Sequence, residues 1–227
     1  DDIRFSLTHD GTEVLAASPI SMTLQDGSVL GVNSKVSKVL KAAVDKTIPS
    51  PFYKKTEIED TYNEMTFAFR GNYGLVFRLY NDGMAYRFTT KMKNDIIVVN
   101  EEAGYNFSSD HKTFAPYVNS QKATFEEQFM NSFEQPYVHE PITKLDSKRL
   151  MILPLLVELD GGKKLCITEA DLEDYPGMFL NNSTDKPSLK SVHAPYPKRK
   201  EQGGHNRLQM LVKERENYIA KTKGTRS

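Results

Sequence analysis

An all-β fold with minor helix is predicted for this 227-residue chain. Three observations carry the prediction. Apolar residues recur mostly with period two, turn-forming residues separate short runs, and helical periodicity is poor almost everywhere. Phe5 to Leu7, the turn His9-Asp10-Gly11 and Val14 to Ala16 read as a first hairpin. Ile20, Met22 and Leu24 alternate ahead of a second turn at Gln25-Asp26-Gly27-Ser28. From Tyr62 to Thr90 the alternation is strongest: Met65, Phe67 and Phe69, then Leu75, Phe77 and Leu79, then Met84, Tyr86 and Phe88. Asn81-Asp82-Gly83 joins the last two runs, with residues that tolerate positive φ.

Ile96 to Val99, Thr113 to Tyr117 and Lys122 to Phe125 are shorter strand candidates. Leu150 to Leu159 reads as a strand interrupted at Pro154, because proline cannot donate to a ladder. Asp160-Gly161-Gly162-Lys163 turns it back onto Lys164 to Thr168, and Gly177 to Leu180 follows a corner at Glu169 to Tyr175. Only Val36 to Val44 and Leu208 to Ala220 invite a helix, and both are short or highly charged. Asn181 to Pro197, rich in Asn, Ser, Lys and Pro, reads as a long loop. Residues 221 to 227 read as a linker, without an apolar anchor.

Thirty Lys/Arg balance thirty Asp/Glu. The zero net charge removes the global electrostatic argument for nucleic acid or an anionic membrane. From Lys186 onward eleven basic residues face three Glu, a charge of +8 that residues 1 to 185 balance. A charge-rich terminal stretch is usually a solvated face or a surface for the acidic remainder of a larger protein. No run of about eighteen apolar residues predicts a membrane span, and Asp1-Asp2-Ile3-Arg4 lacks the order of a signal peptide.

Nucleotide and metal-protease chemistry lack support. Gly161-Gly162 and Gly203-Gly204 are isolated pairs and form no phosphate loop. His9, His111, His139, His193 and His205 are scattered without zinc-ligand spacing. Cys166, the single cysteine, permits no internal disulfide and reads as a small buried hydrophobe between Leu165 and Ile167. The chain has no Trp, so a dedicated surface module that stacks sugar rings is disfavoured. Tyr196-Pro197-Lys198-Arg199-Lys200 mixes basic and aromatic residues but reads as a solvated loop.

Carboxylates remain. Thr168-Glu169-Ala170-Asp171-Leu172-Glu173-Asp174-Tyr175 sits where a strand ends in a corner, and carboxylates there could give calcium a hard oxygen ligand. In the plainer reading Glu169 caps backbone amides while Asp171, Glu173 and Asp174 are solvated. On residue chemistry alone the plainer reading is favoured.

Several segments, taken in order, resemble the amino-terminal domain of glycoside hydrolase family 97. They are Phe5-Ser6-Leu7 with Ser18-Pro19-Ile20-Ser21-Met22, then Tyr62-Asn63-Glu64-Met65, and the hairpin Phe77 to Phe88 with Asn81-Asp82-Gly83 at its turn. Ile167 to Met178 is the second long match, and Gly224-Thr225-Arg226-Ser227 is similar to the lead into the family's catalytic domain. The resemblance implies a large two-sheet antiparallel super-sandwich, galactose mutarotase-like, over residues 1–220. Residues 221–227 would then begin a linker to a (β/α)8 catalytic barrel absent from this chain.

The implied parent is a calcium-dependent exo-acting α-glucosidase or α-galactosidase, periplasmic or secreted, acting on α-linked oligosaccharides. Its catalytic carboxylates would lie on the barrel, so no catalytic residue is expected here and the chain alone should be inactive. Glu169 is the position that matches a calcium ligand in the intact enzyme. Neither nucleic acid nor a membrane span is expected. Two other functions stay open: a mutarotase-like sugar epimerase, with a His such as His139, His193 or His205 paired to a Glu, and a non-catalytic glycan-binding module.

Overall fold

The computed structural model describes residues 2–52, 54–119, 124–130, 134–182, 184–202 and 210–226. Its first strands are β1 (Arg4–His9), β2 (Thr12–Leu24), β3 (Val29–Leu30), β4 (Val36–Pro49), β5 (Glu57–Phe69) and β6 (Tyr73–Leu79). Next come β7 (Met84–Lys91), β8 (Ile96–Asn106), β9 (Lys112–Ala115), β10 (Val138–Pro141), β11 (Leu155–Glu158) and β12 (Lys164–Ile167). The last are β13 (Met178–Asn181), β14 (Ser188–His193), β15 (Pro197–Gln202), β16 (Met210–Arg215), β17 (Ala220–Thr222) and β18 (Thr225–Arg226). Among the described residues, helix is confined to single turns at Glu126–Phe129, Ile142–Lys144 and Asp160–Gly162. The class is all-β, as the alternation predicts.

The chain divides into two compact units, residues 1–32 with 97–222 and residues 33–96 with 223–227. In the first, a seven-stranded sheet runs β1-β2-β8-β14-β13, with β3 on β2 and β17 on β8. A four-stranded sheet, β10-β9-β11-β12, and the pair β15-β16 complete it. The turn between β1 and β2 needs left-handed backbone at two successive residues, and Asp10 (φ 51) with Gly11 (φ 70) supplies it at little steric cost. Ile20, Val98, Leu150, Met151, Leu155, Val157, Leu180 and Leu189 are at most 2% exposed. Each such side chain stabilises the unit by about 1.5–3 kcal/mol relative to leaving it in water. β2 and β8 approach so closely at Gly104 that a Cβ there would stand 2.5 Å from Pro19 Cδ.

The second unit is one antiparallel sheet, β18-β7-β6-β5-β4. Its register aligns Val39, Phe67, Leu75 and Phe88 across four strands, and Met65, Phe77 and Tyr86 across three. One face is therefore apolar, with Phe77 edge-on to Phe67 at 6.1 Å. The other face carries Tyr62 beneath the Arg78 guanidinium, 4.5 Å from the ring centroid, and Arg78 pairs with Glu64 at 2.8 Å.

Several segments differ from the sequence reading. Val36–Val44 is strand: β4 pairs along its length with β5, and tertiary pairing overrides a weak local preference. In the second helical candidate, Leu208 and Gln209 lie outside the described residues, Met210–Arg215 pairs with β15, and Ala220–Thr222 is β17. The 181–197 stretch is a loop only in part, since β14 occupies Ser188–His193 and pairs with both β13 and β8. Its buried side carries Leu189, Ser191 and His193, so polar residues disguise the period-two signal. Lys122 lies outside the described residues, and Phe125 leads into a helical turn rather than a strand. Residues 221–226, without an apolar anchor, are nonetheless tied by backbone pairing of Thr225 with Lys91 and Arg226 with Thr90.

The hairpin between β6 and β7 forms as expected, closed by the Tyr80 N–H on the Gly83 carbonyl at 2.8 Å. None of Asn81, Asp82 and Gly83 takes positive φ; the left-handed residues of this sheet are Gly71 (φ 97) and Asn72 (φ 60), between β5 and β6. Cys166 is exposed rather than buried, because β12 turns that side outward while Ile167 points into the core.

Candidate functional site

The corner at 168–177 joins β12 to β13 and carries most of the second long motif. Asp171 (φ 59) and Asp174 (φ 52) adopt left-handed backbone, which non-glycine residues hold only where the surroundings fix it. Thr168 and Ala170 to Asp174 are exposed, whereas Glu169 is half-buried. The Met178 N–H donates to both Glu169 oxygens, at 2.8 and 3.0 Å. Gly177 makes room for this arrangement, since a Cβ there would come within 3.2 Å of Glu169 Oε1. Glu169 thus caps a backbone amide, the plainer of its two sequence readings, and the acidic neighbours Asp171, Glu173 and Asp174 point to solvent.

Beneath the corner lies a polar cluster on one face of the seven-stranded sheet. The Tyr175 hydroxyl donates to Glu101 Oε2 at 2.6 Å, and the Tyr175 ring stands edge-on to His193 at 6.0 Å. His193 pairs in register with Met178, which brings strand, corner and cluster together. Ser191 locks Glu101 from behind, its Oγ accepting the Ala103 N–H at 2.8 Å and donating to the Glu101 carbonyl at 2.9 Å. These bonds stand in for the ladder where the pairing of β14 with β8 stops at Lys190 and Gly104.

Burial sets the electrostatics. Desolvation raises the Glu101 carboxyl above the usual range, the Tyr175 bond opposes it, and the neighbouring Glu169 charge adds to it. Desolvation also raises Glu169, against the Met178 N–H. The Tyr105 phenol is pushed up by burial and then by both carboxylates. Burial pushes the His193 imidazole down to about 4, against a hydrogen bond with the Glu101 backbone. His193 Nδ1 is buried and meets no partner among the described residues.

A carboxylate offers about four lone-pair sites, and one N–H occupies little of that capacity at Glu169. Its remaining capacity fits a hard cation. Calcium takes six to eight oxygens, however, and no group of three His, Cys, Asp or Glu able to hold a metal occurs among the described residues. The residues present could therefore supply at most one ligand of a calcium shell.

Of the histidines, His139 does pair with a carboxylate: its Nε2 lies 2.7 Å from Glu158 Oε2, and its ring stacks on Phe114 at 4.3 Å. Lys164 shares Glu158, and it, ahead of His139, holds that carboxyl below its ordinary range. His205 lies outside the described residues, as do Gly203 and Gly204. A pocket of about 360 Å³ is lined in part by Asn100, Glu102, Lys190, Ser191 and His193. Through Ser191 and His193 it borders the cluster beneath the Glu169 corner. Glu101 and Tyr105 gave no signal in the sequence, and His193 stood there only as one of three histidines that could serve an epimerase, because a buried polar residue in a strand looks like an outward-facing one.

No helix among the described residues is long and apolar enough to cross a membrane. The model of the family described as "Glycosyl-hydrolase 97 N-terminal" matches residues 1–213. The retaining alpha-galactosidase of Bacteroides thetaiotaomicron is 49% identical over 222 residues, 97% of this chain and 34% of that protein. Among solved structures, a glycoside hydrolase family 97 enzyme from Pseudoalteromonas sp. strain K8, in complex with acarbose, superposes with a TM-score of 0.77. It covers 98% of this chain and 31% of its own at 18% identity. A beta-arabinopyranosidase gives 0.74 at 20% identity, over 98% and 37% of the two chains. At such identities the structures speak for the fold, and the chain spans about a third of the length of the relatives it matches.

Proposed function

The chain belongs to the glycosyl-hydrolase 97 N-terminal family, and from that premise we propose that it is the non-catalytic β-domain of an exo-acting α-glycosidase, lending one carboxylate to a calcium site. The observation that carries the reading is Glu169: half-buried, raised by desolvation, and held by a single backbone donor with acceptor capacity to spare. A cation beside it would favour the charged form that burial disfavours. In the intact protein Glu169 supplies one oxygen ligand, and the catalytic barrel of the same polypeptide supplies the rest. Bound calcium contributes a fixed positive charge near the reacting sugar. The acid and its partner carboxylate, which any glycosidase needs on either side of the scissile bond, belong to the barrel.

The substrate is an α-linked oligosaccharide, and 49% identity to a retaining alpha-galactosidase points to an α-galactoside. The parent is periplasmic or secreted. A second reading, a sugar epimerase of the mutarotase type, draws on the His139–Glu158 pair, 2.7 Å apart and partly open to solvent. Measured interconversion of sugar anomers by this chain would support it.

Hydrolysis of p-nitrophenyl α-galactoside and α-glucoside, with and without calcium, tests the first reading on the full-length protein and on this chain. Turnover by the full-length protein alone, with calcium dependence weakened by Glu169→Gln, supports it. Inactivity of the full-length protein on both substrates, or turnover by this chain, sinks it.

A further inference from the structure

We propose that Tyr175 and Glu101 are positioning residues for Glu169: the Tyr175 hydroxyl, gripped by the Glu101 carboxylate at 2.6 Å, ties the 168–177 corner to β8 and fixes where Glu169 presents its unused lone pairs. The inference rests on the reading of Glu169 as a calcium ligand. It begins from the looseness of the corner. Thr168 and Ala170 to Asp174 are exposed. Segments with few buried contacts open at low free energy unless something anchors them.

Two anchors meet that need. One is local, the Met178 N–H on Glu169 itself. The other is long-range, from Tyr175 to a residue 74 positions earlier in the chain. β8 is the right strand to hold it, because it is flanked by β2 and β14 inside the seven-stranded sheet. The Glu101 backbone is itself held by Ser191, and the Tyr175 ring abuts His193. Partners that orient a ligand in this way govern metal affinity without touching the metal.

Calcium titrated calorimetrically into the full-length protein tests the inference, with thermal unfolding measured with and without calcium. Tyr175→Phe and Glu101→Ala each weaken calcium binding by about 10- to 100-fold. Glu101→Gln, whose amide oxygen still accepts the phenol O–H, stays within about threefold of wild type. A merely structural role would instead lower the unfolding temperature equally with and without calcium and leave the affinity unchanged. If Tyr175→Phe and Glu101→Ala bind calcium like wild type while Glu169→Gln does not, the positioning role is overturned and the ligand reading survives. If Glu169→Gln also binds like wild type, both fall. Should Glu101→Ala fail to fold, Tyr175→Phe decides alone, since it removes one oxygen and keeps the ring against His193.

Discussion

Glu169 closes the corner on itself: both of its carboxylate oxygens receive the N–H of Met178, nine residues further on, at 2.8 and 3.0 Å. The bond joins the second residue of the corner to the first residue of β13, so it sets the path into that strand. Hydrogen bonds to charged groups contribute about 1.5–3 kcal/mol, and removing the acceptor leaves a part-buried amide unsatisfied. Glu169→Ala is therefore expected to destabilise this chain by about 1.5–3 kcal/mol in urea unfolding. Glu169→Gln keeps an acceptor and escapes the desolvation that raises Glu169, so its cost stays below about 1 kcal/mol. Equal losses for the two variants would show that the N–H bond does not hold the corner.

His193 carries a pH dependence of definite sign. Its folded pKa, about 4, lies below the ordinary 6.5, so the unfolded chain binds more protons between those values. Stability is fully present above about pH 6.5 and is lost as pH falls toward 4. The contribution is on the order of 3 kcal/mol at most, from the size of that gap. Urea midpoints from pH 7 to 4.5 for wild type and His193→Gln check it: the substituted chain should show the shallower fall. Parallel curves would place the acid sensitivity elsewhere.

Cys166 should react while the chain is folded. It is the only thiol, and β12 leaves it exposed. A colourimetric disulfide reagent is expected to label one equivalent in native buffer at a rate within about tenfold of that in urea, because access rather than unfolding limits the reaction. Labelling that appears only on denaturation would mean the side chain is packed inside.

Strand alternation was legible wherever one face was apolar. Met65, Phe67 and Phe69 followed by Leu75, Phe77 and Leu79 mark β5 and β6 without help from the structure. β14 was not legible, because Ser191 and His193 occupy its buried side and spend their polarity on Glu101 and its surroundings. β4 was misleading for the opposite reason. Nearly all of it is exposed, so no buried stripe distinguishes strand from helix, and pairing with β5 decides. The same limit applies at the site. The motif from Ile167 to Met178 pointed to Glu169 and the corner, whereas Glu101 lies in a strand where sequence offers no reason to single it out.

On the proposed reading of Glu169, calcium should separate what this chain does alone from what it does within a longer polypeptide. Glu169 gives one carboxylate, and no group of three potential ligands occurs among the described residues. A shell of six to eight oxygens is then far from complete, so this chain is expected to bind calcium weakly or not at all. A ligand stabilises a protein only in proportion to how far its concentration exceeds the dissociation constant. At about 1 mM calcium, this chain should therefore unfold within about 1 °C of its midpoint in chelator. The full-length protein should lose several degrees when chelator is added, and Glu169→Gln should lose most of that difference. A large calcium shift in this chain by itself would mean that it assembles a site without the barrel, and Glu169 would then need partners from its own corner.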